Sequence, residues 1–431
     1  MHQFYFSYHF HFLKKNIYKN AVFLAHMTNS IKNTKTSPAD ISSHLKEAGV
    51  QAYLIHGDMH NSDLYYATKF LASDPFSYML AADGDEALLI SDMEKGRAEI
   101  ESRVFNDKIK TTSDYKYREL AKEKKDASLA YVLVLKEMIR ERNIKTVGVS
   151  YTFPAYYYDR LKTESESGID VVLMKSPFSK SRMVKTADEI EKIAASQKAA
   201  EDAMAAAVSM IKKSVPNESG ELILDEEILT GKAVLLEIAR VLMEAGCADD
   251  ETIVSCGKDS ADPHGKTYGT LYSGMPIVID IFPQSKYTRY FGDMTRTVIK
   301  GEASAELKKM YEAVKEAQAL GVRSAKPGVT CAEVHNAVCD SLETAGYDTY
   351  RSGAKVGFIH TTGHGVGIDI HEMPSVSDND HVLEQGNVIT IEPGLYYPGI
   401  GGIRIEDTIV ITKDGCRNLN VMEKKFEIDE R

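Results

Sequence analysis

Four acidic residues in the second half of this chain stand inside runs that otherwise read as buried strand. PIVIDIFP carries Asp280 after an apolar run, and YFGDMTRTVIKG places Asp293 thirteen residues later. VITIEPGLYY holds Glu392, and GGIRIEDTIVIT holds Glu406. A carboxylate taken out of water must be paired, hydrogen-bonded or bound to a metal. One such residue reads as a strand end reaching solvent; four, with His364 among them, point to a shared site.

Strand parity supports convergence. Val388, Thr390 and Glu392 share one face and Ile389 and Ile391 the other, while Arg404 and Glu406 stand opposite Ile403 and Ile405. Each strand then offers an apolar face to a core and a polar group to a common cleft. Four carboxylates and one imidazole supply donors for two divalent ions roughly 3.5–4 Å apart, bridged by carboxylates and water. An oxygen-rich set favours Mn²⁺ or Co²⁺, with Zn²⁺ a further occupant. Hydrolysis is the natural reaction class for such a centre.

Between the acids lies FIHTTGHGVGIDIHEMP, with His360, His364 and His371. Gly363, Gly365 and Gly367 each make a helix costlier by roughly 1 kcal/mol, so the segment is expected to be a loop entering a strand. On a straight strand His364 and His371 point to opposite faces, and the two are expected to stay apart.

The 431 residues suffice for two or three domains, and 43% hydrophobic content is ordinary for a globular protein. A net charge of −11 without a Lys/Arg stripe disfavours nucleic acid. Five scattered cysteines without a CxxC pair read as reduced packing residues in a cytoplasmic protein. No apolar run reaches membrane-spanning length. Residues 1–36, with an aromatic- and His-rich beginning and lysines in its middle, lack the layout of a secretory signal; they are expected to be a disordered tail or an over-extended start.

From Ser37 the pattern alternates amphipathic and apolar segments, so residues 37–175 are expected to form an α/β domain. Its first helix is expected to start at Ser37 or Asp40 and end at Gly49, and SYMLAADGDEALLIS reads as a hairpin around an Asp-Gly turn. Residues 176–186, polar with one proline, are expected to link it to a second domain over 187–431. There Thr186 and Glu189 form a capping-box pattern ahead of a long helix, in whose apolar stripe Gln197 takes one place. A second helix is expected through EEILTGKAVLLEIARVLMEAGC. Two helices then strands, twice over, hint at a duplicated unit.

The order Asp280, Asp293, His364, Glu392, Glu406, with GHGVGxxxHE, IEPGLY and GxRIEDT, resembles the pita-bread metallopeptidases that include methionine aminopeptidases, aminopeptidase P and prolidase. The match covers about residues 185–420, and the preceding domain is more loosely similar to the N-terminal domain of the prolidase and aminopeptidase P branch. The resemblance implies an α/β N-terminal domain and an α+β pita-bread catalytic domain holding two divalent ions per subunit. Asp280 would chelate one, Asp293 and Glu406 bridge both, and His364 and Glu392 complete the second. It further implies His264, His371 and Glu392 as catalytic, with Glu392 the proton carrier, and His264, His360, His371 and Arg404 at the substrate, Arg404 also bracing the carboxylates.

The implied reaction is hydrolysis of the Xaa-Pro bond at the N-terminus of peptides or in dipeptides by a metal-bridging hydroxide, in a homodimer. The Asp280–Asp293 segment, with Phe282-Pro283, is about two residues longer than the usual pattern, which puts substrate preference in question. The alternatives are a creatinase-like hydrolase of a non-peptide C–N bond and a non-catalytic binding protein of the same fold. Relatives of either kind lack part of the ligand set kept here. His56, His60 and His335 read as structural.

Overall fold

The computed structural model describes residues 38–163, 168–249 and 251–428. The expected tail over 1–36 and the Ser37 cap lie outside them, as does the side chain of Asp40. The chain divides into two compact units, the first ending at Ser181 and the second starting at Arg182.

The first unit is a six-stranded mixed sheet in the order β4-β3-β2-β1-β5-β6. Its strands are β1 (Ala52–Gly57), β2 (Phe76–Ala81), β3 (Glu86–Ile90), β4 (Ile109–Thr111), β5 (Thr146–Val149) and β6 (Asp170–Leu173). Strands β2 and β3 pair antiparallel across a turn with Gly84 at φ +94°, the hairpin expected from Asp83-Gly84. Helix α1 (Pro38–Glu47) ends before Gly49, which takes φ +70°. Helix α2 (Ala127–Arg140) starts where the Asp126 side chain accepts from Leu129 N, and buries Val132, Leu135, Met138 and Ile139 against Leu54, Met79, Leu89 and Val147.

The second unit opens with α3 (Ala187–Lys213), whose capping box between Thr186 and Glu189 is formed as expected. Its stripe of Ile193, Ala200, Met204 and Ile211 is fully buried. The next helix, α4 (Gly231–Glu244), is shorter than expected: the Thr230 side chain caps it, and the preceding Glu227–Ile228 pairs as strand instead. Both helices pack on a three-stranded antiparallel sheet of β7 (Ile253–Cys256), β8 (Ile277–Ile281) and β9 (Met294–Val298).

A second pair, α5 (Ala305–Ser324) and α6 (Cys331–Thr344), precedes β10 (Gly363–Gly365), β11 (Glu372–Val376), β12 (Val388–Ile391), β13 (Gly394–Tyr397), β14 (Gly401–Arg404), β15 (Asp407–Ile411) and β16 (Cys416–Asn418). Five of these form a sheet in the order β11-β10-β12-β15-β16, while β13 and β14 pair as a hairpin. The helix-pair-then-sheet pattern thus occurs twice.

A further expectation changes. Residues 363–371 are not one straight strand: β10 stops at Gly365, the chain bends, and β11 returns antiparallel with Glu372 opposite Gly365. The expected linker 176–186 has bonding partners at its C-terminal end. Lys185 N donates to Gly386 O at 2.9 Å and Asn387 Nδ2 to Met183 O at 3.1 Å, which bonds 183–185 to the segment leading into β12. Four of the five cysteines are buried and none is in a disulfide; Cys416 is half-buried, its thiol directed at Val322 O.

Candidate metal centre

The acids meet because of where their strands end. Asp280 lies within β8, Asp293 one residue before β9, Glu392 one residue past β12, and Glu406 between β14 and β15. Such places combine a rigid backbone with room for a side chain to turn into the cleft. Backbone contacts fix them: Asp293 N donates to Gln197 Oε1 at 2.8 Å, which is why a glutamine interrupts the apolar stripe of α3, and Glu406 N donates to Thr295 O at 3.1 Å.

Donor atoms of Asp293, His364 and Glu406 all lie within 4.8 Å of one another. His364 Nδ1–H donates to Gly365 O at 3.2 Å, leaving Nε2 directed at Glu392 Oε1 (3.3 Å) and Asp293 Oδ2 (3.6 Å). A backbone carbonyl that fixes the tautomer and frees the other nitrogen is the usual support of a metal-ligating imidazole. Gly363 lies so close to β12 that a Cβ there would sit 2.0 Å from Thr390 O. That approach lets the Thr390 hydroxyl accept from His364 N (3.0 Å) and donate to Glu392 Oε1 (3.2 Å).

The electrostatics are unbalanced without a cation. Burial, then repulsion from Glu406, Asp280 and Glu392, pushes Asp293 well above the usual carboxylate range. Burial, then Glu392 and Asp280, does the same to Glu406. Burial works to raise Glu392 too, but the hydrogen bond and charge of His364 outweigh it and bring that carboxyl to about 2. Asp280 Oδ1 and Glu406 Oε1 are buried without a hydrogen-bond partner. Clustered carboxylates with orphaned, inward-facing oxygens fit divalent cations, which would satisfy both atoms and relieve the repulsion.

Arg404, buried in β14, ties the site together. Its Nη2 donates to Asp280 Oδ2 at 2.7 Å, its Nη1 to Tyr396 OH at 2.8 Å and to Pro263 O at 3.1 Å, and its Nε to Thr295 Oγ1 at 3.3 Å. Thr295 Oγ1 in turn donates to Glu406 Oε2 at 2.7 Å. Tyr396 OH donates to His360 Nε2 at 3.1 Å, since His360 Nδ1–H is directed to Thr361 O at 2.8 Å. His360 is thereby an acceptor braced against Tyr396, and burial lowers its affinity for a proton.

All nine residues singled out from the sequence line one cleft of about 510 Å³. His264, exposed and next to the Pro263 carbonyl held by Arg404, and His371 stand on its wall with Phe282, Ile359 and Ile370. The expected separation of His364 and His371 does not hold: their rings meet edge to face at 4.4 Å, because the bend after Gly365 turns His371 back over His364. Three positions went unread in the sequence. Thr295 and Tyr396 share parity with Asp293 and Glu392, a signal the sequence carries; Lys266, which also lines the cleft, carries no such signal. His335 is buried, bonded to Thr362 Oγ1 at 2.7 Å, and His56 is buried on Ser77 Oγ at 2.9 Å, whereas His60 is exposed.

Comparison with known proteins agrees with this geometry. Residues 39–184 match the creatinase/prolidase N-terminal domain. The chain is 32% identical over 379 residues to the Xaa-Pro dipeptidase of Pyrococcus horikoshii, covering 85% of this chain and 92% of that one. It is 34% identical over 296 residues to the Xaa-Pro dipeptidase of Pyrococcus furiosus, covering 66% and 76%. The prolidase structure from P. horikoshii superposes with a TM-score of 0.73 at 27% identity, covering 91% of this chain and 100% of the other. An Xaa-Pro dipeptidase from Bacillus anthracis does so at 0.75 and 26%, covering 90% and 98%. The catalytic unit has the pita-bread fold of these prolidases, and with residues 191–413 matching its model the chain belongs to metallopeptidase family M24.

Proposed function

We propose that this protein is a metal-dependent Xaa-Pro dipeptidase, with Asp280, Asp293, His364, Glu392 and Glu406 holding two divalent cations, Mn²⁺ or Co²⁺ before Zn²⁺. The observation that carries this reading is the convergence of those five side chains, two with orphaned oxygens, on the cleft wall that bears His264 and His371. When bound, such cations supply Lewis-acid activation of water and of the scissile carbonyl. Arg404 holds and aims the Asp280 carboxylate, and through Thr295 fixes Glu406. Glu392, ionised beside His364, would take a proton from the attacking water and return it to the proline nitrogen as the C–N bond breaks. His371 donates to the carbonyl preceding proline, and His264 holds the proline side of the substrate. His360, held on Tyr396, lines the substrate's path.

Dipeptides are favoured over longer peptides because the relatives cited are Xaa-Pro dipeptidases. An X-Pro aminopeptidase from Thermotoga maritima superposes at a TM-score of 0.73, with 26% identity and covering 89% of this chain and 99% of that one, which keeps peptide length the decisive variable. The protein is read as a homodimer. Its five thiols, none in a disulfide, support the reducing cytoplasm, and among the described residues no helix is long and apolar enough to cross a membrane. The test is hydrolysis of Gly-Pro against Arg-Pro-Pro by chelator-treated protein with Mn²⁺ or Co²⁺ restored. Metal-dependent cleavage of the dipeptide in preference to the tripeptide is expected, and failure to cleave any Xaa-Pro substrate overturns the reading.

A further inference from the structure

Beneath the bend that carries His371 lies a group of charges that the catalytic roles above do not use. Glu372 begins β11 and turns its carboxylate into the protein, where it is almost fully buried. Its Oε1 lies 2.7 Å from Lys185 Nζ, and its Oε2 accepts from Arg182 Nη2 at 2.7 Å. The same Arg182 nitrogen donates to Asp369 Oδ2 at 2.5 Å. The carboxylate is packed against Gly367 so tightly that a Cβ there would stand 2.2 Å from Glu372 Oε1. Gly367 O accepts from Phe291 N at 2.8 Å, and Ile368 O accepts from Gln284 Nε2 at 3.0 Å. The Asp280–Asp293 segment thus grips the bend from one side while Arg182 and Lys185 grip it from the other. His371 sits between the held points Asp369 and Glu372. Lys185 is itself fixed, since its backbone is bonded to Gly386 two residues before β12, the strand that leads to Glu392.

We infer that Arg182, Lys185 and Glu372 form a buried ion cluster that positions His371 over the cleft, so that the segment before α3 works as part of the site. The three are positioning residues: none lines the cleft, and each acts on substrate through the imidazole. A buried charged network of this kind holds one geometry because every alternative leaves a charge unpaired. The inference rests on the proposed role of His371 at the scissile bond.

The test is a double-mutant cycle on the full-length metal-loaded protein, with E372Q and R182M made alone and in the H371A background. Each is expected to lower kcat at least tenfold with KM changed less than threefold and metal content unchanged. In H371A each is expected to change kcat less than twofold, because the group it positions is gone. R182M spares the Lys185–Glu372 pair and serves if E372Q does not fold. Unchanged kcat, or an equal loss with and without His371, overturns the inference. A wild type that cleaves no Xaa-Pro substrate would instead remove the peptidase reading. The imidazole resonances of His371 in metal-free protein then decide: E372Q or R182M is expected to shift them while leaving those of His335 in place, and an unmoved His371 signal rejects the cluster.

Discussion

The two units use the same materials to opposite ends. In the first, helices cover a six-stranded sheet whose interior is apolar, and its buried polar groups, such as Ser77, Thr68 and Ser102, are mostly neutral and hydrogen-bonded within the unit. In the second, similar helices cover sheets whose inner ends carry Asp293, Arg296, Arg404, Glu406 and Asp407, all buried. Burying charge contributes little net stability and removing one partner is costly, so Asp293, Arg404 and Glu406, which line the cleft, mark a place where chemistry rather than folding sets the residues, while Arg296 and Asp407 pair with each other at 2.8 Å outside its lining. The first unit is built to be stable, and the second accepts internal strain of charge for a reactive cleft.

The sharpest way to break this contrast is His364→Ala, which should release metal and lower turnover on the order of 10³-fold or more, since several kcal/mol of charge stabilisation depend on the ligand set. Metal analysis beside Xaa-Pro hydrolysis checks it, and retained metal would show that the charged core is not a ligand set. His371→Ala by contrast should keep its metal and lose turnover. Arg404→Met comes next: with Asp280 Oδ2 uncompensated and Thr295 and Tyr396 freed, metal affinity or turnover should fall about 10–100-fold, as read by titration of the chelated protein.

A third test probes where the units are alike. Each holds an imidazole, His56 in the first and His335 in the second, that burial brings to about 4. The folded state therefore refuses a proton that the unfolded chain accepts near its ordinary 6.5, so this stability is fully present above that value and is lost as pH falls toward 4. For His56 the loss should be on the order of 1–2 kcal/mol between pH 7 and 5, and His56→Gln should flatten that part of the denaturation profile. The smallest effect belongs to Ile139→Val on α2, which should cost about 0.5–1.5 kcal/mol in chemical denaturation and leave kcat per folded molecule unchanged.

Much of this could be read from the residues alone. Thr186 and Glu189 announce the start of α3, Asp83-Gly84 the hairpin, and the parity of Thr390 with Glu392 and of Arg404 with Glu406 the cleft face. Period and caps are local, and they survive into the fold. What escaped was set by distant partners. At the bend after Gly365 the Glu372 carboxylate packs against Gly367 and is paired with Arg182 and Lys185, which lie far earlier in the chain. Thr230 moved the start of α4 because a cap outweighs the weaker helical pattern before it.

The guanidinium of Arg404 also bears on how such a protein can change over generations. It contacts a carboxylate directly, another through a threonine, one histidine through a tyrosine, and the loop that precedes a second histidine. Substitutions at any of these neighbours are read through the same planar group, so their effects should be strongly epistatic. Selection for a new substrate would then have to proceed by paired replacements around Arg404, or leave it alone and vary the loops beyond it.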